Sequence, residues 1–171
     1  RRVMTYDSNG CMIEIRFYDF DENLSYSSSN YAIQRGKYDL KGRPIEVSHF
    51  DINCKPCYTK NNYSLYRVQY NSNDCIIENS FYDTNGSPCL ETVYGAHLIK
   101  TKHNENNYVV EQAFYDTDNN AIISPFYGFH RQVNEFDDYH RLVAIKYLDC
   151  NSKPSINTQD YTSKCVYSYD H

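Results

Sequence analysis

Residues 6–19 read YDSNGCMIEIRFYD, which is a turn signal followed by a stretch of alternating apolar and polar side chains. An Asp at a turn entrance accepts hydrogen bonds from backbone N–H groups two residues on, and Gly adopts the positive φ that a tight turn needs. After the turn, the side chains divide between an apolar face, with Ile13, Ile15 and Phe17, and a mixed face, with Glu14, Arg16 and Tyr18. This period-two alternation predicts a β-strand with one apolar and one mixed face.

The same pattern recurs along the whole chain. A large apolar or aromatic residue followed by Asp occurs at steps of 32, 32, 33 and 33 residues: Tyr18-Asp19, Phe50-Asp51, Tyr82-Asp83, Tyr115-Asp116 and Leu148-Asp149. A second series lies twelve residues earlier in each copy, at Tyr6-Asp7, Tyr38-Asp39, Tyr70-Asn71, His103-Asn104 and Phe136-Asp137, and has a sixth member at Tyr169-Asp170. Two interleaved series that share one period identify tandem repeats of one structural unit.

The repeat units run approximately over residues 1–18, 19–50, 51–82, 83–115, 116–148 and 149–171, of which the first and the last are partial. Together they predict a single β-repeat domain over residues 1–171, which we expect to be part of a larger protein. The arm between the two series is constant at 12 residues, so the length difference falls in the longer arm of 20–21 residues. Loops absorb insertions, whereas a one-residue slip in a paired strand turns every side chain to the other face.

The fold class follows from the strands and the turns. No segment shows an apolar stripe with the 3.6-residue period of a helix, so we expect an all-β protein. Strands joined by tight turns form an antiparallel meander, and tandem units of this kind stack into an elongated, twisted sheet or an open β-solenoid. The longer arm predicts a second strand over residues 63–70, and Pro56 before it indicates a short or edge strand because proline cannot donate a ladder hydrogen bond.

The turn sequence Tyr38-Asp39-Leu40-Lys41-Gly42-Arg43 resembles the tyrosine–aspartate repeats of Rhs-type proteins, which have Tyr-Asp, two spacer residues and Gly-Arg. Residues 6–10 and 82–86 resemble the same motif without its Arg. The resemblance implies β-hairpins that spiral into a long sheet able to wrap a cargo, although the alternation of 12 with 20–21 residues departs from a simple hairpin array. The aromatic hairpins also resemble, less closely, the cell-wall-binding repeats of bacterial surface proteins, which are richer in Trp and Gly. Both resemblances imply a bacterial source.

Composition and charge argue against several classes of partner. The net charge is −5 and no run of Lys or Arg exceeds two residues, so we expect no nucleic acid partner. No apolar run approaches the ~20 residues of a membrane helix, so we expect no membrane insertion. Seven Cys is an odd number, and several of them recur in repeat phase, which favours packing roles in a reducing, cytoplasmic compartment over an extracellular disulfide framework. The location itself stays open.

Three motifs have both a chemical and a structural interpretation. Residues 54–57 form a Cys-x-x-Cys, but their neighbours indicate turn and strand rather than a helix N-terminus, and no second ligand pair follows for zinc. The acidic turns at Asp19 and Asp116 resemble parts of calcium loops, although the equivalent turns carry Asn or Lys, and calcium binding stays open. His49 and His103 occupy positions that hold Phe or Tyr in other copies, so we interpret them as strand residues. We therefore expect no catalytic residue, no metal site and no cofactor.

The mixed face of the strands is the candidate binding surface. Its residues recur as a row of glutamates flanked by a row of aromatic rings: Glu14, Glu46, Glu78 and Glu111, with Tyr18, Phe50, Tyr82 and Tyr115. An exposed stripe of this kind suits a protein partner or, through ring stacking, a glycan; alternatively, the rings cover a second packed layer. We predict a non-enzymatic repeat scaffold that mediates protein–protein interaction, with glycan or cell-surface binding, or a structural shell or spacer segment of a large secreted Rhs-like protein, as alternatives.

Overall fold

The computed structural model describes residues 1–170, and all of their regular secondary structure is β. The described strands are β1 (Arg2–Tyr6), β2 (Met12–Phe17), β3 (Ile33–Tyr38), β4 (Pro44–Phe50), β5 (Leu65–Tyr70), β6 (Ile76–Tyr82), β7 (Leu98–His103), β8 (Val109–Tyr115), β9 (Arg131–Phe136), β10 (Leu142–Leu148) and β11 (Lys164–Val166). The strand order follows the chain order, so the predicted all-β antiparallel meander is confirmed. His171, which ends the last predicted unit, lies outside the described residues.

Each hairpin pairs along its whole length, whereas neighbouring hairpins pair over a shorter stretch. Six residue pairs join β3 to β4, with a bulge near the tip of the hairpin. Only three pairs join β2 to β3, from Glu14 opposite Arg35 to Arg16 opposite Ile33. Residues two apart in a strand lie on one face of the sheet, and directly paired residues of neighbouring strands lie on the same face, so Glu14 and Arg16 share a face with Arg35 and Ile33. After one further bridge, such as Tyr18 opposite Leu24, the longer arm leaves the sheet.

Five-residue turns with one hydrogen-bond pattern connect these segments. In the turn that Asp39 begins, its N–H donates to Arg43 O at 3.0 Å, and its Oδ1 accepts the N–H groups of Lys41 and Arg43 at 2.9 and 3.0 Å. The fourth residue of this turn, Gly42, has a φ of 77°. The same pattern begins at Asp7, Asn71, Asn104 and Asp137 in the other hairpins, and at Asp19, Asp51, Asp83, Asp116 and Asp149 after them. The predicted role of the side chain at the turn entrance is confirmed.

A third turn in the longer arm holds the length difference between repeats. In an early copy, the Ser27 N–H donates to Tyr31 O, four residues on. In a later copy, the Ser124 N–H donates to Phe129 O, five residues on. The extra residue of the 33-residue repeats therefore lies in a turn outside the paired strands, as predicted.

The structure divides into two compact units. The first unit comprises residues 1–69 and 79–92, and the second comprises residues 70–78 and 93 onward. In the first unit, rings from strands alternate with rings from third turns, and neighbouring ring centroids lie 4.5–5.7 Å apart along the row Phe17, Tyr31, His49, Tyr63 and Phe81. His49 is 3% exposed and its Nδ1 lies 3.0 Å from Ser64 O; burial lowers its pKa. This histidine is therefore a core residue of its strand, as its repeat position predicts.

The second unit has a core of the same design. Phe114 of β8 and Phe129 of a third turn are 0% and 1% exposed. Their centroids are 5.9 Å apart, and Phe129 stacks on Tyr147 of β10 at 4.8 Å. In both units, then, the longer arms cover the apolar face of the strands, and burial of these rings is the main source of stability.

Hydrogen bonds that recur with the repeat period join successive longer arms. In the first unit, the side-chain amide of Asn30 donates to Tyr58 O and that of Asn62 donates to Leu90 O, each at 3.1 Å. Both asparagines have a positive φ, of 67° and 62°, which their short polar side chains tolerate. The arms therefore form a second layer that is bonded from one repeat to the next.

Candidate functional site

The predicted binding residues lie on the face of the sheet that the longer arms do not cover, here called the glutamate face. Each glutamate is the third residue of its strand, and each ring lies at or directly after the end of that strand. Glu14, Tyr18, Glu46, Phe50 and Tyr82 belong to the first unit, and Glu78, Glu111 and Tyr115 to the second. All eight side chains are half-buried. The structure thus places each set on one face of regular strands, while binding through that face stays a prediction.

Two arginines hold the carboxylate of Glu14. Arg16, two residues along β2, binds Oε1 through Nε at 2.6 Å, and Arg35, directly opposite on β3, binds Oε2 through Nε at 2.8 Å. The hydrogen bond from Arg16 is the largest influence on the pKa of Glu14, and together with Arg35 it lowers that pKa against the opposing effect of burial. Glu14 is therefore a charged carboxylate fixed between two cations.

Glu46 has an equivalent pair of partners one repeat later. Burial alone would raise its pKa, but hydrogen bonds from Lys37 and Arg67 outweigh that effect and lower it. Lys37 Nζ lies 2.7 Å from Oε1, and Arg67 Nε lies 2.9 Å from Oε2. Lys37 and Arg67 come from the strands on either side, β3 and β5, so the ion pairs join three strands across both kinds of strand pairing.

In the second unit, Glu111 repeats this arrangement. Lys102 Nζ of β7 lies 2.8 Å from Oε1, and Arg131 Nη1 of β9 lies 3.3 Å from Oε2. Arg131 also donates from Nη2 to Ser152 Oγ at 3.0 Å, while its buried Nε has no hydrogen-bond partner. Ion pairs between strands therefore recur on this face in both units.

Cations also lie over the aromatic rings of the face. The guanidinium carbon of Arg35 lies 4.5 Å from the ring centroid of Phe50, and that of Arg67 lies 4.6 Å from the centroid of Tyr82. In the second unit, Lys100 Nζ lies 5.3 Å from the centroid of Tyr115. These are cation–π distances, so one side of each ring is occupied by a side chain of the same face.

The rings also shield apolar residues of this face. Ile33 is 0% exposed and pairs directly with Phe50, so both lie on the glutamate face. Leu98, which is 5% exposed, pairs directly with Tyr115 in the second unit. The rings therefore contribute to packing, and the ion-paired side chains are the more accessible part of the face.

Around Glu14, Glu46 and Glu111, the most exposed charged side chains of the glutamate face are cations. The side chains of Glu14, Glu46 and Glu111 are only 17–20% exposed. Lys37 and Lys102 are 73% and 70% exposed, and the arginines on the face range from 28% to 49%. The repeat pattern alone predicts a stripe of carboxylates and rings, whereas in the structure these three carboxylates are held against cations of their own and neighbouring strands.

Sequence reasoning overlooked these cations, although their positions are periodic. Arg35 and Lys37 lie four and two residues before Asp39, and Lys100 and Lys102 lie four and two residues before Asn104. Arg67 has the same position before Asn71. The repeat phase was thus a signal that could have identified them.

A shallow groove lies on the glutamate face beside the ion pairs, at the end of the strands. In the first unit it has a volume of about 160 Å³, and its lining includes Phe50, Pro56, Leu65 and Thr84. The repeat-equivalent groove of the second unit, of about 280 Å³, is lined by Leu148, Pro154 and Lys164 among others. An aromatic or aliphatic side chain and a proline thus border each groove.

The Cys-x-x-Cys at residues 54–57 lacks the setting of a redox pair. Burial raises the pKa of the Cys57 thiol, whose Sγ lies 3.8 Å from Asn30 O. Burial likewise raises the pKa of its repeat equivalent, Cys89, to about 11. Reactive thiols need the opposite shift. Both cysteines lie in the layer of longer arms, consistent with packing.

The remaining predicted motifs have structural partners. The Asp carboxylates of the acidic turns accept backbone N–H groups, as at Asp116, whose Oδ1 accepts from Asp118 and Asn120 at 2.9 and 2.8 Å. Over residues 1–170, no three His, Cys, Asp or Glu side chains come together in a group that could hold a metal ion. Within the same residues, no helix has the length and apolar character to cross a membrane.

Comparison with known proteins gives no family assignment: no protein-family model matches the chain, and no curated protein matches it.

Proposed function

We propose that this chain is a non-enzymatic repeat scaffold that binds a protein partner through the glutamate face. The observation that carries the proposal is the difference between the two faces of the sheet. The longer arms cover the apolar face with a bonded layer, whereas the glutamate face presents a periodic array of fixed charges. A covered face holds the fold together, and a regular uncovered face is available for recognition.

The ion pairs also prepare this face for binding. Exposed pairs of this kind contribute little to stability, typically about 0–1 kcal/mol each. They do hold long side chains in one geometry, which reduces the entropy that a binding event must remove. Arg35 and Arg67 are each fixed by both a carboxylate and a ring, so their positions are set before a partner arrives.

The ring geometry favours a protein partner over a sugar. Sugar rings stack on open aromatic faces, but Phe50 and Tyr82 each have a guanidinium on one side. Arginine and tyrosine at a half-buried site are the residue types that dominate protein interfaces. Recognition of this kind requires neither a catalytic residue nor a cofactor.

A relationship to Rhs-type repeats remains part of the proposal at the level of the hairpin turns. Arg43 Nε donates to Asp39 Oδ2 at 2.7 Å, and Arg141 makes the same bond to Asp137 at 2.8 Å. The Arg that ends the Tyr-Asp-x-x-Gly-Arg motif therefore hydrogen-bonds to the Asp that begins the same turn.

The test is capture of a partner followed by reconstitution with purified proteins. A Lys37→Gln/Lys102→Gln variant removes the two most exposed cations of the glutamate face. A Lys41→Gln/Lys60→Gln variant removes the same charge from exposed turn residues and is the matched control. We expect one purified partner to bind the native chain and the control but to bind the face variant at least several-fold more weakly. Equal binding to all three proteins, each confirmed as folded by circular dichroism, would overturn the assignment of the face.

A further inference from the structure

A pocket of about 500 Å³ lies between the tips of the first two hairpins, within the first unit. Pockets that bind ligands in proteins commonly have volumes of about 300–1,000 Å³. Two of its lining residues, Ile13 and Gly36, alternate along β2 and β3 with Glu14 and Arg35, so they lie on the opposite side of the sheet from the glutamate face. The residues of the lining on which the argument depends are Asp7, Asn9, Cys11, Lys37, Leu40 and Gly42.

Two short side chains leave the room for this pocket. Cys11 is the fifth residue of the first turn and Gly42 the fourth residue of the second, and a Cβ on Gly42 would lie 3.4 Å from Cys11 Sγ. In the second unit, the equivalent positions of the fourth and fifth hairpins hold Tyr108 and His140, whose ring centroids are 6.5 Å apart. The repeat therefore fills this place with two rings in one copy and keeps it open in another.

The carboxylate of Asp7 has one oxygen available in the wall of the pocket. Its Oδ1 accepts the backbone N–H groups of Asn9 and Cys11, each at 2.9 Å. In the second hairpin, Arg43 is the fifth turn residue and its Nε donates to Oδ2 of the equivalent Asp39 at 2.7 Å. The first hairpin has Cys11 at that position, and over residues 1–170 Asp7 Oδ2 accepts no hydrogen bond.

The side-chain amide of Asn9 is a second polar group of the wall. In the second unit, the third residue of one turn bonds to the fourth residue of the next, as where Asn73 Nδ2 donates to Asn107 Oδ1 at 3.0 Å. Asn9 is also a third turn residue, but the fourth residue of the next turn is Gly42, which has no side chain. Within the part of the chain that the structure describes, the Asn9 amide therefore makes no side-chain hydrogen bond.

The rest of the lining suits an arginine side chain. Lys37 and Lys41, the cations of the lining, each have a partner in the structure, which for Lys37 is Glu46 at 2.7 Å. Leu40 is fully exposed at the rim and offers apolar surface to an aliphatic stem. A guanidinium donates several hydrogen bonds in one plane and matches a carboxylate with a neighbouring amide oxygen, and its charge complements that of Asp7.

We propose that this pocket binds the guanidinium group of an arginine side chain presented by another protein. The guanidinium donates to Asp7 Oδ2 and to Asn9 Oδ1, and so takes the role that Arg43 has within the second hairpin. This site goes beyond the proposed function, because the interactions that define it do not involve the ion pairs of the glutamate face. Loss of either site leaves the other intact.

The test is titration of the ¹⁵N-labelled chain with single amino acids blocked at both ends, followed by nuclear magnetic resonance. The ligands are blocked arginine, blocked citrulline, which has nearly the same shape without the charge, and blocked lysine. We expect saturable shifts of the Cys11 and Gly42 amide signals with arginine, and about tenfold weaker binding of the other two. Equal binding of citrulline would overturn the role of charge, and equal binding of lysine the role of the planar group. No saturable shift with arginine would overturn the site, and tighter binding of free than of blocked arginine would overturn presentation by a protein.

Asp7→Asn removes the charge and keeps the oxygen that the turn needs. The turns that begin at Asn71 and Asn104 show that asparagine forms the same hydrogen bonds. We expect Asp7→Asn to weaken arginine binding about tenfold, because a charge-assisted hydrogen bond is lost. Asp19→Asn makes the same change in a turn of the same unit that does not line the pocket, and should leave binding unchanged. Equal effects of the two variants would contradict the role of Asp7.

Gly42→Asn fills the pocket with the side chain that the fourth hairpin carries at this position. Asn107 has a φ of 65°, so asparagine tolerates the backbone conformation of this turn. We expect Gly42→Asn to weaken arginine binding by at least severalfold. Gly10→Asn is the matched control, because Gly10 has the same position in the first turn and an added Cβ there meets nothing within 4 Å. Unchanged binding to Gly42→Asn would show that arginine does not occupy the pocket.

Discussion

Truncation of Phe114 to Ala tests whether the core lies between the apolar face of the strands and the longer arms. Phe114 is fully buried on β8, and its ring centroid lies 5.8 Å from Tyr94 and 5.9 Å from Phe129. Removal of a fully buried phenylalanine ring costs about 3–5 kcal/mol, because apolar burial is lost and a cavity remains. Whole domains are stable by only about 5–15 kcal/mol, so we expect this one change to remove a large part of the free energy of unfolding.

Phe126→Ala is the matched control. Phe126 lies in a third turn of the same unit, is 46% exposed, and meets Tyr127 edge-on at a centroid distance of 4.9 Å. Loss of one exposed aromatic pair costs about 0.5–1.5 kcal/mol. Urea unfolding, monitored by far-ultraviolet circular dichroism, measures the loss in free energy of unfolding for each variant. The loss is obtained from the shift of the urea midpoint, with one slope of free energy against urea concentration used for both variants. A loss below about 1 kcal/mol for Phe114→Ala, or equal losses for the two variants, would refute the position of the core.

Three further predictions concern the hairpin turns, the ion pairs of the glutamate face and the buried thiols. Asp39→Ala removes the oxygen that accepts two turn N–H groups and should lower the urea midpoint of unfolding. Asp39→Asn keeps that acceptor and should lower the midpoint less; equal shifts for the two variants would contradict the role of Oδ1. The pKa values of Glu14 and Glu46 are lowered by folding, so their contribution to stability is complete above the ordinary value of 4.5 and is lost as the pH falls through the folded-state value. A melting temperature that stays constant as the pH is lowered from about 5 to about 3 would contradict the stabilising role of these two ion-paired glutamates. Burial raises the pKa of Cys89 to about 11, so Cys89 should react with iodoacetamide at pH 8 more slowly than the exposed Cys54. Peptide mass spectrometry measures both rates. Faster labelling of Cys89 would show that its loop does not bury it.

The strands and turns were predictable because their signals are local. Alternation between Ile13 and Phe17 defines the faces of β2, and the Asp at each turn entrance needs only its next four residues to form its hydrogen bonds. The second strand of the longer arm was predicted to begin at Tyr63 and begins at Leu65. The difference has a physical cause, because Tyr63 O accepts the Thr59 N–H that closes the third turn.

The charge of the candidate face was not predicted, because it depends on pairing between repeats. Glu14 and Arg35 are 21 residues apart and meet only because β2 and β3 pair in one particular register. The length of the longer arm does not fix that register, and the row of glutamates considered alone indicates an acidic stripe. The layer of longer arms was likewise beyond local reasoning, since the packing of Tyr31 between Phe17 and His49 joins three separate segments.

Lysine footprinting of the reconstituted complex tests most directly whether the glutamate face is the binding surface. Brief acetylation, with and without the partner, reports the accessibility of each lysine by mass spectrometry. We expect the partner to protect Lys37 and Lys102, which are 73% and 70% exposed on the glutamate face, and to leave Lys41 and Lys60 in exposed turns as reactive as before. Protection of Lys41 and Lys60, with Lys37 and Lys102 unchanged, would contradict it and place the partner on the turns instead.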